Sequence, residues 1–250
     1  AYQKEIAGDD IGVYLNFNTK ENEVVEVQIG VSFVSIANAR ENLNAEQKGK
    51  DFNAIAQEAR QKWNTDLKQI EVEGGTKDEQ TIFYTALYHT LIHPNILQDV
   101  NGDYPAMESN KVLKQYEGNR YTVFSLWDTY RNLHQLMTLL YPNRQRDMVK
   151  TMISMYDECG WLPKWELYGR ETYTMEGDPS IPVIVDCWLK GLRGYDINKA
   201  YTAMKKGATA DEKHNPLRPD NNEYMAKGYI SLRDSFDNSV SHALEYYVAD

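Results

Sequence analysis

The sequence predicts a mainly α-helical chain with a β segment at its start, its helices laid out as in an α/α toroid. Three observations carry this. Residues 11–17 and 25–33 alternate apolar and polar positions. From Thr76 onward the apolar spacing becomes helical. The connections between those helices then run long, short, long, short, long. Short connections join antiparallel neighbours. If the long ones do the same, every long loop gathers at one rim, with three helix N-termini pointing at it.

In the first segment Ile11, Val13, Leu15 and Phe17 share a face. Val25, Val27, Ile29, Val31 and Phe33 alternate again after the polar turn NTKENE. This pattern predicts two antiparallel strands. Such a hairpin is marginal alone, so a larger sheet is expected to hold it. Over residues 50–70, Phe52, Ile55, Ala56, Ala59, Trp63, Leu67 and Ile70 form the stripe of an amphipathic helix, and Gly74-Gly75 stops it. Thr76 and Glu79 make a capping box for a helix expected to reach His93, before Pro94. A second helix is expected from Ser125 and Asp128 to Leu140, and a third over 143–158 with Met148, Met152 and Met155. A fourth follows Asp178-Pro179, an N-cap with proline at the first helical position, and stops at Gly191. A fifth is expected from Asp196 to Gly207 and a sixth from Phe236 onward.

Composition narrows the function. The 250 residues are 42% apolar, enough for a real core, and 18 of them are Tyr, which suits half-wet surfaces. A net charge of −10 leaves no basic stripe for nucleic acid. No apolar run approaches the roughly 20 residues of a membrane span. The opening AYQKEIAGDD has no signal-peptide pattern, and a start at Ala implies processing or a piece of a longer chain. Cys159 and Cys187 have no zinc spacing and read as thiols. Asp99-x-Asn101-x-Asp103 opens like a calcium loop, but Pro105 and Asn110 break the later positions, so it reads as a polar turn. His89 and His93 are an i,i+4 pair without HExxH, and all five His, with His134, His214 and His242, read as core or surface.

The run 160–180, GWLPKWELYGRETYTMEGDPS, is the informative loop. It holds two Trp, two Tyr, three Glu, one Arg and one Asp between two helices. Aromatic faces beside carboxylates and a guanidinium suit a pyranose, which offers a C–H face and a ring of hydroxyls. The expected rim collects Trp127 and Asp128, then Trp161, Trp165, Glu166, Arg170, Glu171, Glu176 and Asp178, with Asp237 a further candidate. Each has a plainer reading. Asp128 also fits a capping box with Ser125. Asp178 also fits an N-cap. Glu166, Arg170 and Glu171 also fit a structural ion-pair cluster, and Trp127 also fits core. Their convergence on one rim favours a sugar site.

The strings TVFSLWDTYR, GWLPKWELYGRETYTMEGDPSIPVIVDCWLKG, YTALYHTLIHPNIL and SVSHALEYYVAD together resemble the glycoside hydrolase family 92 α-mannosidases. The resemblance covers essentially the whole chain. It implies the last strands of a β-sandwich domain over 1–45, linker helices over 46–75, and the first half of an (α/α)6 toroid over 76–250.

It further implies a calcium-dependent, exo-acting enzyme that trims terminal α-mannose from glycans with inversion. Inversion uses two carboxyl groups about 6.5–9.5 Å apart. The family's acid motif, Gly-Asn-Glu, and its acidic base motif are not found here. Acid, base and calcium ligands are therefore expected beyond Asp250, in the remainder of the same polypeptide, and the chain alone is expected to be inactive. Substrate binding carries over to Asp128, matched by its LWD context, beside Trp127. It extends to Glu166, Arg170 and Glu171, with Asp178 at the end of the loop. The expected partner is a mannose-containing glycan. A periplasmic or secreted location follows from the resemblance alone. The rivals are another (α/α)6 enzyme, such as a phosphorylase or a trehalase-like hydrolase, and a carbohydrate-binding module without catalysis.

Overall fold

A computed structural model describes residues 6–232 and 239–250. Helices dominate: α1 (Ile36–Gln47), α2 (Phe52–Leu67), α3 (Lys77–His89), α4 (Leu126–Thr129), α5 (Leu133–Leu140), α6 (Pro142–Cys159), α7 (Ser180–Leu189), α8 (Ile197–Thr209), α9 (Asn221–Lys227) and α10 (Ser239–Ala249). Among the described residues seven short strands lie in the long connections: β1 (Asn95–Ile96), β2 (Asp103–Pro105), β3 (Val112–Lys114), β4 (Tyr121–Thr122), β5 (Phe124–Ser125), β6 (Trp165–Leu167) and β7 (Arg170–Glu171). They pair antiparallel as β1-β4, β2-β3 and β5-β6-β7. No described helix is long and apolar enough to cross a membrane.

Helix α6 is the axis of the core. Pro142 opens it, and Gly160 closes it in the left-handed region at φ 86°, where glycine carries no Cβ penalty. Met148, Val149, Met152, Ile153 and Met155 are buried along it, against Phe124, Leu126, Val183, Ile184, Cys187, Ala200 and Ala203. The expected methionine stripe is therefore the core face. Helix α8 has the predicted cap, Asp196 accepting from the Lys199 N–H. Helix α3 has the predicted capping box between Thr76 and Glu79. It stops at His89, because the next bonds tighten to Leu91 N–H on Tyr88 and Ile92 N–H on His89.

The expected helix over 125–140 is two helices. The chain breaks after Tyr130, and Gln135 Nε2 donates to the Tyr130 carbonyl at 2.8 Å. Ser125 donates its hydroxyl to the Asp128 carboxylate and accepts from no backbone N–H of α4, so the capping-box alternative for Asp128 is not formed. Asp178 likewise makes no side-chain cap for α7. Helices α1 and α9 were not expected, and α1 runs across the expected boundary between residues 45 and 46. Phe236 and Asp237 fall outside the described residues, so the expected helix start there goes unplaced.

The expected strand pair does not form. Residues 11–17 and 25–33 make a turn, with Glu23 N–H on the Lys20 carbonyl at 3.1 Å, but no ladder. Val13 is 75% exposed and Leu15 62%. A two-strand ribbon needs a third strand or a packed face, and the described residues provide neither. The later part follows α1 instead. Asn42 Nδ2 donates to the Val31 carbonyl at 2.8 Å. Gly30 permits this approach, since a Cβ there would lie 2.2 Å from the Ala39 carbonyl oxygen. The Asp99 turn anchors the same helix. Its carboxylate accepts from Ser32 at 2.6 Å, Asn38 at 2.9 Å and Asn42 at 2.7 Å. It is the predicted polar turn, with a docking role.

Helix α2 packs on α3 through Trp63 and Tyr88, ring centroids 4.5 Å apart. It reaches α6 through Asp66, whose carboxylate pairs with Arg144 at 2.6 Å. The end of α6 is fastened by a buried ion pair. Arg120 donates Nη1 to Glu158 Oε1 at 2.7 Å and Nη2 to Oε2 at 2.9 Å, both side chains under 10% exposed. Glu158 also accepts from Met107 N–H at 2.7 Å and Tyr104 OH at 3.2 Å. Replacing one partner strands the other in the interior. Arg120→Ala should therefore cost about 3–5 kcal/mol, read as a lower urea midpoint at unchanged slope.

Candidate carbohydrate site

Two of the four diagnostic strings are joined by a β ladder. Strand β5 pairs with β6 in the register Phe124↔Glu166 and Ser125↔Trp165, and Leu126 N–H continues it to the Lys164 carbonyl at 3.3 Å. Trp127 and Asp128 follow at once in the first turn of α4. They are thereby fixed beside Trp165 and the informative loop.

Asp128 is exposed, and one of its oxygens accepts from Ser125. Trp127 is half-buried, with the Arg131 guanidinium 5.1 Å from its ring centroid. Arg131 also lies 4.9 Å from the Tyr130 ring and donates to Glu245 Oε1 at 3.0 Å. Tyr130 OH meets Glu245 Oε2 at 2.8 Å. Helix α10 therefore closes against α4, and Glu245 fixes the cation beside Trp127. Gly177 lets the loop pass under α10, since a Cβ there would meet Glu245 Cβ at 2.7 Å. Glu176 pairs with His242 of α10. Residues 125–131, the 160–180 loop and the last helix are thus in contact.

The loop carboxylates do different work from that expected. Glu166 is wholly buried. Its carboxylate accepts from Thr122 Oγ1 at 2.9 and 3.1 Å, Val123 N–H at 3.1 Å and Gly169 N–H at 2.5 Å. Burial pushes its pKa up to about 7, against the pull of the Gly169 and Thr122 hydrogen bonds. Asp178, also expected to bind substrate, is 2% exposed and pairs with Arg218 Nε at 3.0 Å. Burial pushes it up to about 6, with Arg218 opposing. Arg218 continues to Asp250 at 2.8 Å. Glu171 accepts from Lys164 N–H at 2.7 Å, Trp165 N–H at 2.8 Å and Tyr173 N–H at 3.0 Å. Glu166 and Asp178 thus offer no exposed oxygen, because both carboxylates are buried. Glu171 shapes the loop backbone. Arg170 alone of this cluster lies in the open, 57% exposed, with Glu108 at 3.6 Å and Asn110 at 3.3 Å.

Sequence reasoning missed Arg131, Glu245 and Arg218. Arg131 had a signal, the TVFSLWDTYR string itself, three residues after Asp128. Glu245 had one too, its place in the SVSHALEYYVAD string, whereas Arg218 had none, because its partners lie more than 30 residues away. Among the described residues no three His, Cys, Asp or Glu side chains group as metal ligands. The Asp99 and Asp103 carboxylates are taken by amides, a hydroxyl and Lys114. His134 is buried between Thr129 and Gln145, and burial lowers its pKa to about 4. The calcium expected from the resemblance has no ligand set among these residues.

The model of the glycosyl hydrolase family 92 catalytic domain matches residues 38–250. A solved family GH92 alpha-mannosidase from Bacteroides thetaiotaomicron, in complex with mannoimidazole, is 35% identical with a TM-score of 0.78; the match covers 86% of this chain and 27% of that one. A GH92 inverting mannosidase from Bacteroides thetaiotaomicron VPI-5482 is 32% identical with a TM-score of 0.79, over 86% of this chain and 29% of that one. The chain thus spans less than a third of the length of these relatives. A search of curated proteins finds no significant match.

The Glu166 shift has a measurable consequence. An unperturbed Glu titrates near 4.5 and the folded residue near 7. Between those values the folded chain keeps a proton on Glu166 that the unfolded chain has released, so this group's contribution to stability falls as pH rises through the window. Glu166→Gln should remove this slope, a difference on the order of 3 kcal/mol between pH 4 and 8. The measurement is urea unfolding of both proteins across that range.

Proposed function

The chain belongs to glycosyl hydrolase family 92, and from that premise we propose that it is the substrate-binding part of an exo-α-mannosidase. The intact enzyme removes terminal, non-reducing α-mannose from a glycan with inversion. The observation that supports this reading is the β5-β6 ladder, which sets Trp127 and the exposed Asp128 beside Trp165. Trp127 and Trp165 offer apolar faces to the pyranose, and Asp128 offers acceptor positions for its hydroxyls. Ser125 holds one oxygen of that carboxylate, which fixes its direction. Arg131 keeps a positive charge over Trp127. Glu166, Glu171 and Asp178 bind the sugar only indirectly, by fixing the loop. Arg170 reaches substrate from the tip of the β6-β7 hairpin.

In this reading residues 1–45 end a β-sandwich domain, with α1 crossing into the linker over 46–75, and 76–250 begin an (α/α)6 toroid. The proton transfers belong to groups beyond Asp250. Calcium would act there as a template for the mannose hydroxyls, and no step on the residues present runs through it. A periplasmic or secreted enzyme accords with the family. A phosphorylase is disfavoured, because Arg131 is spent on Glu245 and Arg170 alone would have to hold phosphate.

Asp128→Ala in the full-length protein should lower kcat/KM on an α-mannoside about 10–100-fold, the value of hydrogen bonds to a charged group. Wild-type rates in that variant would refute the assignment. Residues 1–250 alone should release no mannose, and proton NMR of the intact enzyme's first product should show the β-anomer.

A further inference from the structure

A second groove lies along the same hairpin, beyond the site just described. It has a volume of about 290 Å³ and is lined by Phe33, Tyr168, Arg170, Ser109, Asn110 and Lys111, among others. That volume is near the lower end of small-ligand sites, roughly 300 Å³. Its floor is an aromatic platform. Phe33 and Tyr168 stack with ring centroids 4.7 Å apart and planes 18° apart. Stacking covers the facing sides of both rings, yet Phe33 stays 53% exposed and Tyr168 43%. Among the described residues the outer faces and edges are therefore open. Around them stand a guanidinium, an amide, a hydroxyl and an ammonium, which is donor-rich chemistry suited to hydroxyls.

The platform is held deliberately. Tyr168 sits at φ 50°, and Glu108, opposite the hairpin, at φ 51°. Both are left-handed conformations that cost a side-chain-bearing residue free energy. Tyr168 N–H is fixed by Thr122 Oγ1 at 2.8 Å, and Glu108 N–H by the Gly169 carbonyl at 2.9 Å. The same buried network that positions β6 thus aims Tyr168. Tyr168 follows Trp165 by three residues across the end of β6, which keeps them within about 10 Å at the usual strand rise. A short oligosaccharide spans such a distance.

We propose that this groove is a second carbohydrate subsite. It holds an inner sugar of a branched mannose glycan whose terminal residue occupies the Trp127–Asp128 site. The proposal rests on the glycan-trimming reading and adds that the enzyme selects extended glycans over simple mannosides. A pyranose stacks on the outer face of Tyr168 or Phe33, and Arg170 and Asn110 bind its hydroxyls.

The test is calorimetric titration of the full-length protein with methyl α-mannoside and with a thio-linked mannose oligosaccharide that resists cleavage. Wild type should bind the oligosaccharide about tenfold tighter than the monosaccharide. Tyr168→Leu, which keeps apolar contact with Phe33 but removes the ring, should abolish that advantage. Tyr168→Phe should keep it, and melting curves check that all variants fold. Asp128→Ala should weaken both ligands. If Tyr168→Leu binds the oligosaccharide as tightly as wild type, the subsite is refuted. If Asp128→Ala changes neither affinity while Tyr168→Leu still loses the oligosaccharide, the terminal site is wrong and this groove stands. Binding of neither ligand by wild type overturns both.

Discussion

The site depends on one buried carboxylate. Glu166 has no exposed surface, and a polar group in that position is tolerated only when its hydrogen-bonding capacity is filled. Thr122, Val123 and Gly169 fill it. Thr122 and Val123 lead into β5 and the LWD turn, and Gly169 closes the β6-β7 hairpin. Satisfying this one side chain therefore ties the strand before Trp127 to the loop that carries Trp165. Thr122 Oγ1 also receives the Tyr168 N–H, which extends the constraint to the hairpin tip. Two pieces of chain more than 40 residues apart are thus held at hydrogen-bond tolerance.

Around this anchor the same device recurs. Glu158 collects Arg120, Met107 and Tyr104, and so fastens the β2-β3 hairpin to the end of α6. Glu171 collects three N–H groups of its own loop. Asp178 and Asp250 share Arg218, which seats the last helix over the start of α7. The long connections also contribute apolar side chains to the core, Met107, Phe124 and Leu162 among them. Charge-assisted bonds to backbone N–H groups supply directionality that apolar burial lacks. The acidic composition of the 160–180 loop is the visible trace of this construction.

What was legible in the sequence follows from the range of each interaction. The α3 and α8 starts were readable because a cap acts over three residues, as Thr76–Glu79 and Asp196–Lys199 do. The α6 core face was readable because its apolar period is local. The break after Tyr130 was not, since Leu133 and Met137 keep the helical register on its far side. Alternation over 11–33 has no counterpart in burial, since Val13, Leu15 and Val27 are all exposed; a ladder also requires a sheet to join, which pattern cannot supply. Strands of two or three residues such as β5 and β6 have no period to detect. Glu166 looked like a sugar ligand because residue type records charge and not burial. Its burial is decided by Thr122, and no local rule connects the two.

That distinction decides how the acidic loop is to be understood chemically. A carboxyl held near pH 7, as Glu166 is, resembles a general acid, and perturbed carboxyls do cluster at active sites. A general acid must also reach the proton it transfers. Glu166 meets only protein donors, and Asp178 meets Arg218 in a site 2% exposed. Their raised pKa values come first from desolvation, the signature of a structural anchor as much as of a catalyst. Asp128 is the opposite case: an exposed carboxylate oriented by one hydroxyl, with room for further partners. Division of labour between carboxylates is therefore set by exposure. The buried ones determine where the loop lies, and the exposed one is free to recognise what the loop encloses.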